Sequence, residues 1–583
     1  MNFDRTVDTL IVGTGNGALT TAVCLHQMGV TDLLVIEKSD KIGGTSARSG
    51  GGVWVPMNRY AQAAGAQDSR ADALAYLAAT IPPEDTPQEL IDSYVDNAPK
   101  MVDFLHQHSR VRYWSLEHYP DYYTDRAGAR TGHRSMEPEP VMRDVVGDDW
   151  KFVGDTHPMI SMFGRIYLSQ VEAHEISTKS KGWIGVVLKV LAGYYLDWPW
   201  KFKHPVSRRM TCGGAGVMRL YWSCKERGIQ IERNTALQEL ITDDAGRVVG
   251  AVITQNGKQQ RIGARKGVVL AAGGFEHNQA MREAYLPAPT NAAWSAAYES
   301  NTGDAISAGM KIGAATRLLG GEDAGRENKA KGRGAWWCTT TKAPDDVIPR
   351  LCIIEKSLPG NAVVNMAGKR IGNESENYMA YQRHLFATHK QPHDNGAAYM
   401  VFDARFRKEY IVGALMNSQM RPDSRLPKSY FESKYLVIAN SIEELAVKTG
   451  IDTAGLQATI AGMNAAAKTG KDPEFNRGGT AYDRYYGDER VQPNPCLAPI
   501  TQAPFYALRV DAGDFGTNGG LDITPDAQVK KAAEHGGGVI EGLYAIGNTA
   551  AGILTTYPGP GATLGPAMTY GYQAAKHISG WRD

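Results

Sequence analysis

Residues Asp8 to Met28 read DTLIVGTGNGALTTAVCLHQM, an apolar strand that enters a glycine turn and leaves it as a helix. Gly13 permits the tight turn, Gly15 lets backbone approach a pyrophosphate, and Ala18, beside Gly17, takes the third place of the GxGxxA pattern. The free N–H groups and dipole at the start of the helix favour negative charge there. A second apolar run, Leu33 to Ile36, ends at Glu37, where an acid accepts hydrogen bonds from ribose hydroxyls. The order of strand, turn, helix, strand and acid predicts half of a doubly wound sheet that binds a dinucleotide.

The loop that follows decides which dinucleotide. Lys38 to Trp54, KSDKIGGTSARSGGGVW, carries two glycine clusters, and glycine imposes no side chain on a long extended ligand. FAD is therefore preferred to NAD, with Lys38, Gly44, Thr45, Ser46, Ser49, Gly50, Gly51 and Gly52 as predicted contacts. Two more turns follow apolar strands: AAGGF, with Ala272, Gly273 and Gly274, and GLYAIGN, with Gly547 and Asn548. Ala562 and Leu564, at the start of the last helical segment, complete the predicted set.

Further strands of this domain are expected at Ile229 to Glu232, Val248 to Ile253 and Gly267 to Ala271, and a helix from Ser300. The fold class is α/β: a Rossmann-type FAD-binding domain assembled from both ends of the chain, residues 1–320 and 499–583. An α+β catalytic domain is inserted at 321–498. A chain of 583 residues, 43 % hydrophobic, has the length for several domains. Its net charge of +1 gives no reason to expect nucleic acid as a partner. Six scattered cysteines without a CxxC pair predict neither a disulfide framework nor a zinc site. The opening residues, with Asp4 and Asp8 and no separate apolar run for export, read as cytoplasmic.

Around residues 150–205 lies an aromatic insertion. Gly182 to Lys203, GWIGVVLKVLAGYYLDWPWKFK, is interrupted by Lys189, Asp197 and Pro199, which argues against a spanning helix. Trp183, Trp198 and Trp200 beside Lys201, Lys203, Arg208 and Arg209 suit an anchor at the inner face of a membrane. The alternative is a helical hairpin packed over the cofactor domain.

The segments GGTSARSGGGVWVP, YPDYY, RRMTCGGAGVMR, VVLAAGGFEHN, GKRIGNESENY, YMVFDARFRKEY, GDFGTNGGLDIT and TYPGPGATLGPAMTYGY occur in that order along most of the chain. Together they resemble the FAD-dependent fumarate reductase and ketosteroid dehydrogenase superfamily, and within it the 3-oxosteroid (3-ketosteroid) Δ1-dehydrogenases. The resemblance implies loss of a proton from C2 and a hydride from C1 of a 3-ketosteroid to flavin N5, with a quinone-type or artificial electron acceptor. It places catalytic tyrosines at Tyr122, Tyr378 and Tyr557, with the Gly561 N–H as a further donor.

The chemistry supports those roles. Hydrogen leaves the carbon beyond the α position more readily as the ketone becomes enolate-like, which asks for a base, implied at Tyr378, and donors to the carbonyl oxygen, implied at Tyr557 and Gly561. A phenol titrates near 10, so the base needs a partner that stabilises its anion, a role that suits Tyr122. Pro558 and Pro560 stiffen the YPGPG turn and aim the Gly561 N–H. Tyr119 is expected as an aromatic wall, although sequence alone leaves open which of Tyr119, Tyr122 and Tyr123 faces inward. His118 and His277 rank low as alternative bases. The rival readings are a 3-ketosteroid Δ4-dehydrogenase, a fumarate-type ene-reductase, and an FAD-stabilised binding protein without activity.

Overall fold

The computed structural model describes residues 2–319, 334–388 and 398–582. Its larger sheet is centred on the strand Arg5–Val12, which pairs in parallel with Leu33–Ile36 on one side and Lys258–Leu270 on the other. Gln230–Glu232 extends the sheet beyond Leu33–Ile36, and Val539–Ala545 pairs in parallel with the end of Lys258–Leu270. Leu10, Ile11 and all four residues of Leu33–Ile36 are buried, as near-continuous apolar strands covered on both faces should be. The last strand thus comes from the far end of the chain.

Lys258–Leu270 is longer than the strand expected from Gly267. Its first half pairs antiparallel with Val248–Gln255, which pairs with Thr235–Thr242. The helix expected from Ser300 begins later, at Asp304, because Gly303 sits in the left-handed region at φ +79° and ends the preceding loop. The helix Asn16–Gln27 packs beside the final helix, Leu564–Ser579. A Cβ on Gly17 would lie 2.8 Å from the Ala567 carbonyl oxygen, so glycine sets that approach.

The second sheet is antiparallel, and Phe505–Thr517 runs through it, pairing with Ala335–Thr341, Ala398–Asp403 and Leu436–Ala439. The boundary expected at 499 thus precedes a strand of this sheet. By strand pairing, residues up to Thr517 belong with the inserted domain, and the chain rejoins the cofactor sheet at Gln528–Lys530. The other boundary, at 320/321, lies outside the described residues. Helices Ile442–Thr449 and Thr453–Thr469 cover the outer face of this sheet through Leu445, Leu456 and Ile460, which pack with Val401 and Ala507.

The aromatic insertion forms three helices, Gln170–Thr178, Trp183–Leu196 and Trp198–Lys203, the last started by Pro199. Their inner face closes a small core of Ile166, Leu168, Val190 and Tyr194. The outer face leaves Ile184, Leu188, Leu196, Trp198 and Phe202 exposed, Phe202 at 88 %. Among the described residues, no helix is long and apolar enough to cross a membrane.

Candidate active site

A continuous cavity of about 990 Å³ runs from the first glycine turn to the YPGPG turn. At one end, Gly13 has φ +108°, and a Cβ there would overlap the Ala271 carbonyl oxygen. Gly15 caps the helix without a side chain; the Asn16 N–H goes to the Ser46 hydroxyl at 3.1 Å, and Gly17 and Ala18 of the first turn line the cavity. Glu37 is buried and held by the Thr14 hydroxyl at 2.5 Å and the Ser39 N–H at 2.9 Å; burial raises its pKa while these donors oppose the rise. Lys38 is tied to Thr302 and Asp304, each at 2.6 Å, and so closes the groove against the neighbouring loop.

Gly44, Thr45, Ser46, Ser49, Gly50, Gly51, Gly52, Ala272, Gly273, Gly547, Asn548 and Leu564 also line this cavity, as do Gly17 and Ala18. Two expected contacts do not. At Gly274 a Cβ would overlap the Thr517 hydroxyl, so this glycine serves the contact between the two sheets. Ala562 lies behind the YPGPG turn, its N–H satisfied by the Gly559 carbonyl at 3.1 Å. A long groove with a helix start at one end and a fixed carboxylate beside it fits FAD. Gly13→Ala is expected to yield colourless protein, read as the ratio of flavin absorbance to protein; full flavin content in this variant would contradict the assignment.

At the other end three tyrosines from distant segments meet. Tyr122 follows the buried Asp121, Tyr378 opens the helix Tyr378–Thr388, and Tyr557 begins the YPGPG turn. Ring centroids are 5.5 Å apart for Tyr122 and Tyr378, 5.5 Å for Tyr378 and Tyr557, and 5.8 Å for Tyr122 and Tyr557. Tyr119 and Tyr122 line the cavity, while the Tyr123 hydroxyl turns away to the Thr556 carbonyl at 2.8 Å. His118 and His277 do not line it; His118 is exposed and His277 contacts the Ala297 carbonyl.

The turn that carries Tyr557 is held by its carbonyls. The Pro558 oxygen accepts the Tyr122 N–H at 2.8 Å and the Tyr76 hydroxyl at 2.6 Å, and the Pro560 oxygen accepts the Ser135 hydroxyl at 2.8 Å. Tyr557 itself lies in the left-handed region at φ +59°, a conformation that costs a non-glycine residue roughly 1–2 kcal/mol. With its carbonyls engaged, the turn presents the Gly561 N–H toward the Tyr557 oxygen. The Tyr557 hydroxyl and the Gly561 N–H therefore lie together at this end of the cavity.

Burial drives the Tyr378 pKa well above the ordinary phenol value near 10, the nearby Tyr557 adds to the rise, and a hydrogen bond from Tyr122 opposes it. Tyr557 is raised too, by burial, against hydrogen bonds from Tyr378, Thr563 and the Gly561 N–H. The sequence reading did not include Tyr482, Tyr485, Tyr486 or His174. Tyr482 packs on Tyr122 at 4.8 Å, Tyr485 stacks on Tyr119 at 4.6 Å, and His174 stacks on Tyr485 at 4.0 Å. The run AYDRYY was the available signal, since residues three and four apart share a helix face.

This fold and groove define an FAD-dependent oxidoreductase, and the chain matches the FAD binding domain family over residues 8–564. It is 36 % identical over 582 residues to 3-oxosteroid 1-dehydrogenase of Mycolicibacterium smegmatis, spanning 98 % of this chain and 97 % of that one. To 4-oxocyclohexanecarboxylate 2-dehydrogenase of Sinomonas cyclohexanicum it is 33 % identical, over 99 % and 93 % of the two chains. The crystal structure of 3-ketosteroid Δ1-dehydrogenase from Sterolibacterium denitrificans, in complex with 1,4-androstadiene-3,17-dione, superposes with a TM-score of 0.92 at 41 % identity, covering 99 % of this chain and 100 % of that one. The chain belongs to the 3-oxosteroid Δ1-dehydrogenase family, within the FAD-dependent fumarate reductase and ketosteroid dehydrogenase superfamily.

Proposed function

We propose that this enzyme converts 3-ketosteroids to their 1,2-unsaturated products. The observation that carries the reading is the meeting of three tyrosines with the Gly561 N–H in one buried pocket. Tyr557 and Gly561 hold the ketone oxygen and stabilise negative charge as it develops there. Tyr378 takes the C2 proton, with Tyr122 donating to its oxygen so that the anion is less costly. Tyr119 walls the pocket. FAD, when bound, is the two-electron acceptor for the hydrogen that leaves C1. Tyr119, Tyr122 and Tyr378 are less than one-tenth exposed and Tyr557 is partly buried, which limits the access of water to the developing enolate.

A fumarate-type reductase would place a cationic proton donor where Tyr378 stands. The pocket has a cage of phenols there instead. The relative named for 4-oxocyclohexanecarboxylate suggests the same chemistry on a single ring, but here the cavity that the tyrosines line also takes in Leu168, Val187 and Met416, apolar room that suits a flat polycycle. The test offers a panel of 3-ketosteroids and 4-oxocyclohexanecarboxylate to the enzyme without oxygen, following flavin bleaching and locating the new double bond by NMR. Bleaching with a steroid and a 1,2-double bond is expected. Bleaching by the monocycle alone, a double bond at C4, or a flavin that stays oxidised would each reject the reading.

For its setting, we propose a cytoplasmic enzyme that rests on the membrane through the outer face of the insertion and passes electrons to a quinone-type acceptor. Leu188, Leu196, Trp198 and Phe202 are exposed beside Lys201 and Lys203, which pairs apolar side chains with charges suited to anionic headgroups. Each such side chain gains about 1.5–3 kcal/mol when fully buried. The double variant Leu188→Asp with Phe202→Asp is expected to stop co-flotation with anionic vesicles while steroid bleaching continues. Undiminished flotation would overturn the anchor.

A further inference from the structure

The reaction leaves a proton on Tyr378 at every turnover, and the pocket that excludes water also blocks its direct loss. A chain of hydroxyls leads away. Tyr122 hydrogen-bonds the Tyr378 oxygen, the Tyr122 and Tyr119 hydroxyls are 3.5 Å apart, and the Tyr119 and Tyr486 hydroxyls are 2.5 Å apart. Holding and activating the base needs only the first of these contacts. The others run from the reacting carbon toward the insertion.

Tyr486 follows the short helix Ala481–Tyr485, and its ring lies 5.7 Å from that of His174 on the insertion helix Gln170–Thr178. The His174 Nδ1 is shielded and has no hydrogen-bond partner among the described residues, its ring lines the cavity, and His118, whose side chain is exposed, lies near enough to lower its pKa further. Burial keeps this imidazole neutral, with a pKa of about 4, so it is free to accept one proton and release another. In the middle of the chain, burial raises Tyr119 to about 12, against hydrogen bonds with Tyr122 and Tyr486, and burial likewise lifts Tyr122, Tyr378 and Tyr486 well above the ordinary phenol value.

We propose that the proton taken from the substrate leaves along Tyr122, Tyr119 and Tyr486 to the His174 imidazole, each hydroxyl passing on its own proton as it receives the next. One proton enters from C2 at Tyr378 and one leaves at His174 to solvent. No phenol changes its net protonation over a turnover, and the electron pair departs with the hydrogen from C1 to FAD. The inference rests on the dehydrogenation proposed above and makes Tyr486 and His174 proton-relay residues of that reaction.

Tyr486→Phe keeps the ring and deletes the hydroxyl. Turnover of a 3-ketosteroid is expected to fall on the order of ten- to hundredfold, at or below the bottom of the range for a group that meets the substrate proton directly, with KM nearly unchanged. Added imidazole should restore much of the loss by carrying the stranded proton. A packing role would instead lower flavin content or raise KM and would not respond to imidazole. His174→Phe, which retains the stack on Tyr485, is expected to show the same imidazole-dependent loss and decides the matter if Tyr486→Phe fails to load FAD. Variants that turn over within about twofold of the parent, or losses that imidazole leaves untouched, would overturn the relay. If the parent enzyme does not bleach with a 3-ketosteroid, the proposed function has failed instead; if it bleaches and the variants match it, only the relay is lost.

Discussion

Tyr378→Phe is expected to purify with bound FAD and to lose turnover of 3-ketosteroids by roughly 10²–10⁴-fold, the contribution of a positioned acid–base group. The ring packs between Tyr122 and Tyr557 at 5.5 Å from each and is buried, so phenylalanine preserves the contacts and removes one oxygen. Its place at the tyrosine end of the cavity also leaves the glycine turn at Gly13 untouched. The sign of the pH dependence follows from the chemistry. A base must be deprotonated to act, and burial holds this phenol above its ordinary value, so parental kcat/KM should rise with pH across the alkaline range. In the variant that rise should flatten. Stopped-flow bleaching under anaerobic conditions measures both effects, and a near-parental rate would remove Tyr378 from the role of base.

Gly561→Ala should do comparable damage by another route. Glycine is required here because φ is +98° and because a Cβ would overlap the Gly52 carbon and carbonyl oxygen. Relieving that overlap must move either the YPGPG turn or the glycine loop against which the cofactor lies. Displacing one oxyanion donor costs about 2.7–4 kcal/mol of transition-state stabilisation, or 10²–10³ in kcat. The variant is therefore expected to lose at least that much activity together with part of its flavin, read from kcat and from flavin content in the same preparation. Parental activity with full flavin would show that the Gly561 N–H does not face the reacting ketone.

The parts of this molecule legible in its sequence were those written locally. Gly13 and Gly15 announce a turn between a strand and a helix, and Glu37 follows at the end of the next strand, so the dinucleotide half could be placed from spacing. Phe505–Thr517 falls by position in 499–583, but its strand partners lie 66 to 182 residues away, and nothing in its own pattern names a sheet. The same reason hid Gly274, whose neighbour is Thr517 across two sheets. In YPDYY three rings compete for one pocket, and only the tertiary path of the loop turns Tyr123 outward. Tyr486 and His174 meet from segments 312 residues apart, a juxtaposition with no local signature. The aromatic insertion has a packed interior at Val190 and Tyr194 and exposed apolar side chains at Leu188 and Phe202, a division that its run of aromatic and aliphatic residues does not spell out.

The most direct test is a crystal structure of the FAD-loaded enzyme with a 1,4-diene-3-ketosteroid. The ketone oxygen should lie within about 3 Å of both the Tyr557 oxygen and the Gly561 nitrogen, with the Tyr378 oxygen over C2. A steroid bound the other way round, with its ketone toward His174 and Met416 and neither donor in reach, would contradict the mechanism.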